Sequence, residues 1–460
     1  MIKKILIANR GEIAVRIIRA ARELGIDTVA VYSTADKNSL HVQIAGEAVC
    51  IGGPKSSDSY LNISAIIEAA KMTGAEAIHP GFGFLSENSD FPRKCRENNI
   101  IFIGPSAEVI EKMGNKLAAR KLMKESGIPI VPGGQDNVTT ADEAVKLAET
   151  IGYPVLIKAA SGGGGKGMRK AYSEGEIRDA YNIAKQEAIS SFGDDVMYIE
   201  KLIEDPKHIE FQILADEKGN VVHLGERDCS IQRRNQKILE EAPSAGISQE
   251  LREAMGIVAI KAAKAVQYVS AGTIEFVLDK NHNFYFIEMN TRIQVEHPVT
   301  EMLTGIDIVA WQIKIASGIP LSFCQDEVSF TGHAIECRIT AEDIDNDFEP
   351  NAGTVDFVHF ALGAGVRVDS YLYNGCQVSP YYDSMMAKII VHGKKRSDAI
   401  RKMRRALEET VITGVKNNLI LQNLLMYESD FIRGNYHTGY INTHLKKLLD
   451  LNKAAGGNTR

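Results

Sequence analysis

Two apolar runs, Thr273-Ile-Glu-Phe-Val-Leu278 and Phe284-Tyr-Phe-Ile-Glu-Met-Asn290, flank Asn281-His282 and constrain the fold more than any other stretch. A two-residue turn there pairs 280 with 283, and therefore 275 with 288. Glu275 and Glu288 then oppose each other on one sheet face, with Cβ atoms ~5 Å apart. Like charges so placed destabilise a sheet. A divalent cation removes the conflict, and Mg²⁺ bridging carboxylates to substrate phosphates is the common case. One raised carboxyl pKa, or a slipped register, is the alternative. Asn290 shares that face. If the strand runs on, Glu288, Asn290, Arg292, Gln294 and Glu296 all point one way beside Ile287, Met289, Ile293 and Val295. That is a polar working face backed by core, set against the blander reading of a solvated outer face.

Upstream, strand and helix signals alternate from Ile5-Leu-Ile-Ala8 to Ile101-Phe-Ile103, the pattern of a parallel α/β sheet. The first strand-to-helix turn, Ala8-Asn-Arg-Gly-Glu12, holds one glycine and no dinucleotide fingerprint. The first ~110 residues therefore predict a Rossmann-like sheet without the NAD loop. A single helix is expected over 107–125, then a Pro/Gly linker over 127–134, then strands over 154–160, 168–171 and 196–202 around a glycine loop and a helix. Long paired strands occupy 207–290 with a helix over 248–267, and a helix follows over 300–317. From Gly332 the pattern is short strands with turns, then helices over 397–409 and near 417–427, and a frayed tail. A chain of 460 residues allows two to four domains.

Charge and cysteine usage exclude several classes. Lys+Arg 53 against Asp+Glu 59 leaves a net charge of −6, with no basic excess for a nucleic-acid backbone. No charge-free apolar run approaches the ~18 residues of a membrane helix, and Met1-Ile-Lys-Lys opens no signal peptide. Six cysteines lie far apart without metal spacing, as expected of reduced thiols in a cytoplasmic protein.

The loop Ser161-Gly-Gly-Gly-Gly-Lys-Gly-Met168 satisfies GxGxxG literally. A strand follows it, not a helix, and Lys166 precedes Gly167, not Ser or Thr. Both the Rossmann and the Walker A contexts fail. What remains is a strand–glycine loop–strand flap that can lay backbone N–H groups on phosphates; the alternative is a mobile surface hairpin. Lys158, late in the apolar strand Val155-Leu-Ile157, is costly there unless it meets an anion. Lys116 after Met-Gly-Asn115, Glu200 in Glu200-Lys-Leu-Ile203 and lone His208 each read singly as ordinary polar residues. Glu226-Arg-Asp-Cys-Ser-Ile-Gln-Arg-Arg-Asn-Gln-Lys237 is a charged loop by itself and an anion clamp beside a phosphate site.

A glycine flap between lysine-bearing strands, followed by a Glu…Glu-x-Asn hairpin, resembles the ATP-grasp architecture. Longer strings resemble biotin carboxylase: Ile7-Ala-Asn-Arg-Gly-Glu-Ile-Ala14, His79-Pro-Gly-Phe-Gly-Phe-Leu-Ser-Glu-Asn88, Glu226-Arg-Asp-Cys-Ser-Ile-Gln-Arg-Arg234, Glu288-Met-Asn-Thr-Arg-Ile-Gln-Val-Glu-His-Pro-Val-Thr-Glu301, Glu336-Cys-Arg-Ile339 and Ser379-Pro-Tyr-Tyr-Asp-Ser-Met385. The resemblance implies α/β and α+β lobes: a Rossmann-like N-terminal domain over 1–113, and an ATP-grasp domain over 114–330 with a mobile glycine-rich lid at about 130–203. A mixed β/α C-terminal domain over 331–446 and a tail over 447–460 follow.

It also implies ATP-dependent carboxylation of biotin by bicarbonate through carboxyphosphate. Lys116, Lys158, His208 and Asn235 would lie at ATP, Gly164 and Gly165 over its phosphates, and Glu200, Lys201, Leu202 and Ile203 at the adenine. Glu275, Glu288 and Asn290 would hold two Mg²⁺ or Mn²⁺ ions, with Glu275 and Glu288 also counted at ATP. Lys237, Arg292, Gln294 and Val295 would bind bicarbonate, Glu296 would act as base, and Arg338 would stabilise the biotin enolate. Biotin would arrive on a separate carrier protein, and a carboxyltransferase would pass the carboxyl group to acetyl-CoA for fatty acid biosynthesis, or to pyruvate or propionyl-CoA. A homodimer is the family habit. Asn235 stands where many relatives have His, and Phe82 where Tyr is frequent. Another ATP-grasp ligase is the more distant alternative.

Overall fold

The computed structural model describes residues 1–134, 137–160 and 167–454. Its first sheet is parallel, with Glu47–Gly52, Asp27–Ser33, Lys4–Ile7, Ala77–His79 and Ile101–Phe102 as neighbours in that order. Ile5, Leu6 and Ile7 are fully buried, as a central strand covered on both faces must be. Strand order reverses at Lys4–Ile7, so the loops after it and after Ala77–His79 lie side by side at the crevice where such sheets bind ligands. Asn9 ties those loops together, its Nδ2 donating to the carbonyls of Pro80 at 2.7 Å and Phe82 at 2.8 Å. A Cβ on Gly81, whose φ is 63°, would lie 2.8 Å from that amide nitrogen. Only glycine closes this approach.

A second, antiparallel sheet orders Met168–Ala171, Val155–Ala159 and Met197–Lys201, with helices Ala141–Ile151 and Glu174–Phe192 packed on it. The glycine flap, with Gly164 and Gly165, lies outside the described residues. A third sheet of eight strands follows the order Phe284–Asn290, Ser270–Leu278, Lys207–Ala215, Val221–Arg233, Gln236–Ala242, His333–Thr340, Met385–Gly393 and Val366–Ser370. It runs unbroken past residue 330, because Gln236–Ala242 pairs with His333–Thr340.

Two helices expected to be continuous are interrupted. Residues 107–125 form Ala107–Gly114 and Lys116–Glu125, because the Asn115 side chain accepts the Ala118 N–H at 3.0 Å and starts a new helix. Residues 297–316 split into His297–Thr304 and Ile308–Ala316 where Gly305 turns left-handed at φ 69° and Asp307 caps the next helix. The C-terminal segment holds longer strands than expected, His333–Thr340 and Met385–Gly393, and a final helix Tyr440–Ala454. No cysteine is in a disulfide, and no helix among the described residues is long and apolar enough to cross a membrane.

Candidate active site

The expected pairing of Glu275 with Glu288 is present, reached by a different route. Asp279 donates its N–H to the Asn283 carbonyl, so the turn holds three residues, with His282 left-handed at φ 63°. That turn alone would set Glu275 against Ile287. A β-bulge between the Phe276–Phe286 and Glu275–Glu288 pairs adds the missing residue. It also turns Phe286 into the core and Glu288 to the opposite face, although the two are only two positions apart.

The carboxylates form a row wider than the hairpin. Glu275 pairs with Glu210 on its other side, and Glu210 with Arg227 beyond. Arg227 is fully buried with all five N–H groups used: on Glu210 at 2.5 Å, Gln212 at 2.8 Å, Thr300 at 3.0 Å, Thr273 at 3.1 Å and Gln294 at 2.8 Å. It is an interior pin. Arg233 and Arg234 bind Asp347 at the surface, and of the basic residues in 226–237 it is Arg227 and Lys237 that reach the carboxylate row.

Lys237 is the hub. Its Nζ donates to Glu210 at 2.6 Å, Glu296 at 2.7 Å and Glu275 at 3.0 Å. Burial opposes its charge, yet the three carboxylates outweigh burial and hold its pKa well above the ordinary lysine value. Burial would raise Glu275 too, but Lys237 and His208 hold it well below the usual carboxylate range. The His208 Nε2 lies 3.1 Å from Glu275, which lifts the imidazole pKa against the opposing effect of burial. Its Nδ1 faces the Gln232 amide at 3.2 Å.

Beyond Asn290 the strand ends, so the expected alternation to Glu296 does not occur. A loop places the same side chains instead. Ile293 is buried in the core shared with the first sheet, and the carbonyl of Val295 accepts the Nζ of Lys388 at 2.8 Å. Gln294 donates to Glu275 at 2.8 Å, and so does Asn290. Arg292 spans Asn290 at 3.0 Å and Glu87 at 2.9 Å, and Glu87 comes from the loop after Ala77–His79. Glu296, at the start of helix His297–Thr304, accepts Lys237 and, at 2.9 Å, Arg338. Burial again opposes ionisation; Lys237, Arg338 and Arg227 win and keep the Glu296 carboxyl well below its ordinary pKa.

The small sheet contributes Lys158, whose Nζ lies 2.6 Å from Glu200. Arg120 holds the other Glu200 oxygen at 2.8 Å. The Glu200 carboxylate thus joins Lys158 to Arg120, one cation on each oxygen. Lys201 turns its ammonium back to the carbonyls of Gly152 and Tyr153, and the backbone N–H groups of Lys201 and Leu202 donate to the carbonyls of Pro132 at 2.7 Å and Pro154 at 3.0 Å. Lys116 lies 3.3 Å from Glu288. Asn235 sits in an exposed turn at φ 64°.

The donors Glu275, Glu288 and Asn290 are hard oxygens, and cationic groups already stand against all three: Lys237 and His208 at Glu275, Lys116 at Glu288, Arg292 at Asn290. This donor set fits Mg²⁺ or Mn²⁺.

Glu210, Arg227, Glu87, Arg120 and Lys388, with Glu240 at 2.5 Å from Arg338, touch the candidate residues and are not singled out by the sequence. Glu210 carries a signal, since His208-Ile-Glu210 alternates as a strand facing Glu275. Two strands and a helix separate it in the chain from its partner strand, so no turn geometry fixes that register.

Family models match along nearly the whole chain: "Biotin carboxylase, N-terminal domain" at residues 1–110, "Carbamoyl-phosphate synthase L chain, ATP binding domain" at 115–324 and "Biotin carboxylase C-terminal domain" at 336–443. "Biotin carboxylase 1" of Bacillus subtilis is 57% identical over 96% of this chain and 99% of its own length. A pyruvate carboxylase subunit of Methanothermobacter thermautotrophicus is 52% identical over 97% of this chain and 91% of its own. The crystal structure of the Hydrogenobacter thermophilus 2-oxoglutarate carboxylase biotin carboxylase domain dimer, with MgADP, ADP and bicarbonate, superposes with a TM-score of 0.95 at 50% identity, over 97% of this chain and 99% of that one.

Proposed function

The chain belongs to the biotin carboxylase family, and we infer that the Lys237 cluster is where it carries out ATP-dependent carboxylation of biotin by bicarbonate. It is an ATP-dependent ligase with the three-part biotin carboxylase architecture. One observation carries the assignment of the site: a single ammonium, Lys237, joins the metal-fitting row at Glu275 to Glu296 and, through it, to Arg338.

In this reading bicarbonate lies between Lys237, Arg292, Gln294 and the Val295 N–H, whose carbonyl Lys388 already holds away. At rest the depressed pKa of Glu296 makes it a weak base. When Lys237 turns its charge to bicarbonate, the basicity of Glu296 rises and it takes the bicarbonate proton. The freed oxygen attacks the γ-phosphorus, ADP leaves, and carboxyphosphate breaks into CO₂ and phosphate. The phosphate takes the ureido N–H proton, and that nitrogen forms the new bond to CO₂ while Arg338 stabilises the negative ureido oxygen. Mg²⁺ or Mn²⁺, held by Glu275, Glu288 and Asn290, supplies charge neutralisation at the phosphates. Lys116, Lys158 and His208 serve ATP, with Glu200 positioning Lys158. Gly164 and Gly165 are read as its phosphate cover, Ile203 and its neighbours as the adenine edge, and Asn235 as a replaced nucleotide contact.

We divide the chain into 1–113, 114–330 with a lid at about 130–203, 331–446 and a tail; the small sheet has a core of its own, while the eight-stranded sheet and the core of the C-terminal segment cross residue 330. We place the enzyme in the cytoplasm as a homodimer that takes biotin on a carrier protein and hands the carboxyl group to a carboxyltransferase. The acceptor is read as acetyl-CoA, with pyruvate next because a relative at 52% identity is named for pyruvate carboxylase.

Biotin- and bicarbonate-dependent ADP release tests the function, and equal release without bicarbonate would overturn it. Glu296→Ala should abolish bicarbonate-dependent turnover and leave ATP binding largely intact; near-normal turnover would remove its role as base. The acceptor is tested by purifying the native complex and assaying its carboxyltransferase with each candidate.

A further inference from the structure

Strand Gln236–Ala242 and strand His333–Thr340 set a second pair of glutamates face to face, Glu240 against Glu336. Both are fully buried. The face is closed by helix His297–Thr304, whose Val299 and Leu303 pack with Ala242, Ala334 and Ile390. Glu240 Oε1 accepts the Nε of Arg338 at 2.6 Å. The other Glu240 oxygen and both oxygens of Glu336 meet no hydrogen-bond donor. Three orphaned carboxylate oxygens on directly paired, buried residues cannot all be anionic. One proton pairs two of them, as a Glu336 O–H donating to Glu240 Oε2, leaves the third as a neutral carbonyl oxygen, and keeps Oε1 for Arg338.

We propose that Glu240 and Glu336 hold a single proton between them, and that this acid–carboxylate pair is the positioning group that keeps Arg338 aimed at the carboxylation site. The charged groups facing the pair are Arg338, Lys388 from Met385–Gly393, Glu296 from the helix start and Lys237 from the strand of Glu240. Glu12 and Asp369 lie beyond Lys388 and hold its charge. Burial pushes Glu336 well above its ordinary value and Glu240 up to about 7, against the pull of Lys388 on the first and Arg338 on the second. The pair titrates as a unit. While it keeps its proton, one negative charge stands behind Arg338, and the guanidinium has charge to spare for Glu296 and the ureido oxygen. When alkaline pH removes the proton, a second negative charge draws Arg338 back.

The proposal rests on Arg338 acting at biotin. The test is the pH profile of biotin-dependent kcat for the whole enzyme. Wild type should fall about tenfold from neutral to alkaline pH, and Glu336→Gln, whose amide donates permanently, should stay within about twofold. Glu240→Gln, which loses the anchor itself, should lower kcat about 100-fold with little change in the KM for ATP. An alkaline fall in E336Q equal to that of wild type, or a near-normal kcat in E240Q, overturns the proposal. Infrared spectroscopy reads the proton directly: a protonated-carboxyl band of the wild type should vanish in E336Q, and its persistence overturns the shared proton. Arg338→Gln separates the two readings. If R338Q keeps the biotin-dependent rate, the role of Arg338 fails, whatever the infrared band shows.

Discussion

The sheet carries two pairs of opposed glutamates and neutralises them in opposite ways. Glu275 and Glu288 lie where cations gather, and 32% of the Glu288 side chain is exposed. Lys237, His208 and Lys116 surround them, so Glu275 stays ionised. Glu240 and Glu336 lie three strands away with no exposure, and their carboxyls are pushed up instead. The lesson is that a facing pair says only that a charge must be compensated. Burial and the neighbouring strands choose between a cation and a proton.

The largest way to stress the comparison is acid. His41 and His223 are held near 4 and His79 near 3 by burial, against an ordinary 6.5. The unfolded chain therefore binds more protons between these values. The contribution of these three histidines to stability is fully present above pH 6.5 and is lost as pH falls toward 4, by several kcal/mol, on the order of 5. Urea midpoints across that range check it, and a flat profile would show that burial does not hold these groups neutral.

Next in size, Lys237→Met strips one ammonium from three buried carboxylates. It should destabilise the fold by about 3–5 kcal/mol and lower turnover about 1000-fold. A variant of wild-type stability would mean that the first pair, like the second, is relieved by protons.

The comparison is sharpest between Glu275→Gln and Glu336→Gln. The first should cost about 100-fold or more in metal-dependent turnover. The second should raise stability at neutral pH by about 1–2 kcal/mol, because a raised carboxyl pKa costs the folded state stability as pH rises above 4.5. Equal behaviour of the two would erase the distinction. The smallest effect is expected at the exposed Arg178–Asp142 pair between the small-sheet helices, where Arg178→Ala should change stability by no more than about 0.5 kcal/mol in thermal melts.

Much of this is legible in the residues. The parallel order of the first sheet follows from its strand–helix alternation, and Lys158 meets an anion as its apolar strand demands, although that anion is Glu200. A two-residue turn predicts the Glu275–Glu288 pairing, while the molecule reaches it by a three-residue turn and a bulge whose shifts cancel. Alternation predicts a strand to Glu296, and the segment is a loop, held by Ile293 in the core and Lys388 at Val295.

The sequence by itself determined what is local: periodicity, the flap motif, the hairpin and the need to neutralise two carboxylates a few residues apart. Only the tertiary structure decided what is not. Glu210 joins Glu275, Glu87 reaches Arg292 and Glu336 meets Glu240 through contacts between residues 65, 205 and 96 positions apart. No turn or spacing rule spans such distances. The sign of each carboxyl's pKa shift depends on how much water the assembled sheets exclude, and no short stretch of chain carries that quantity.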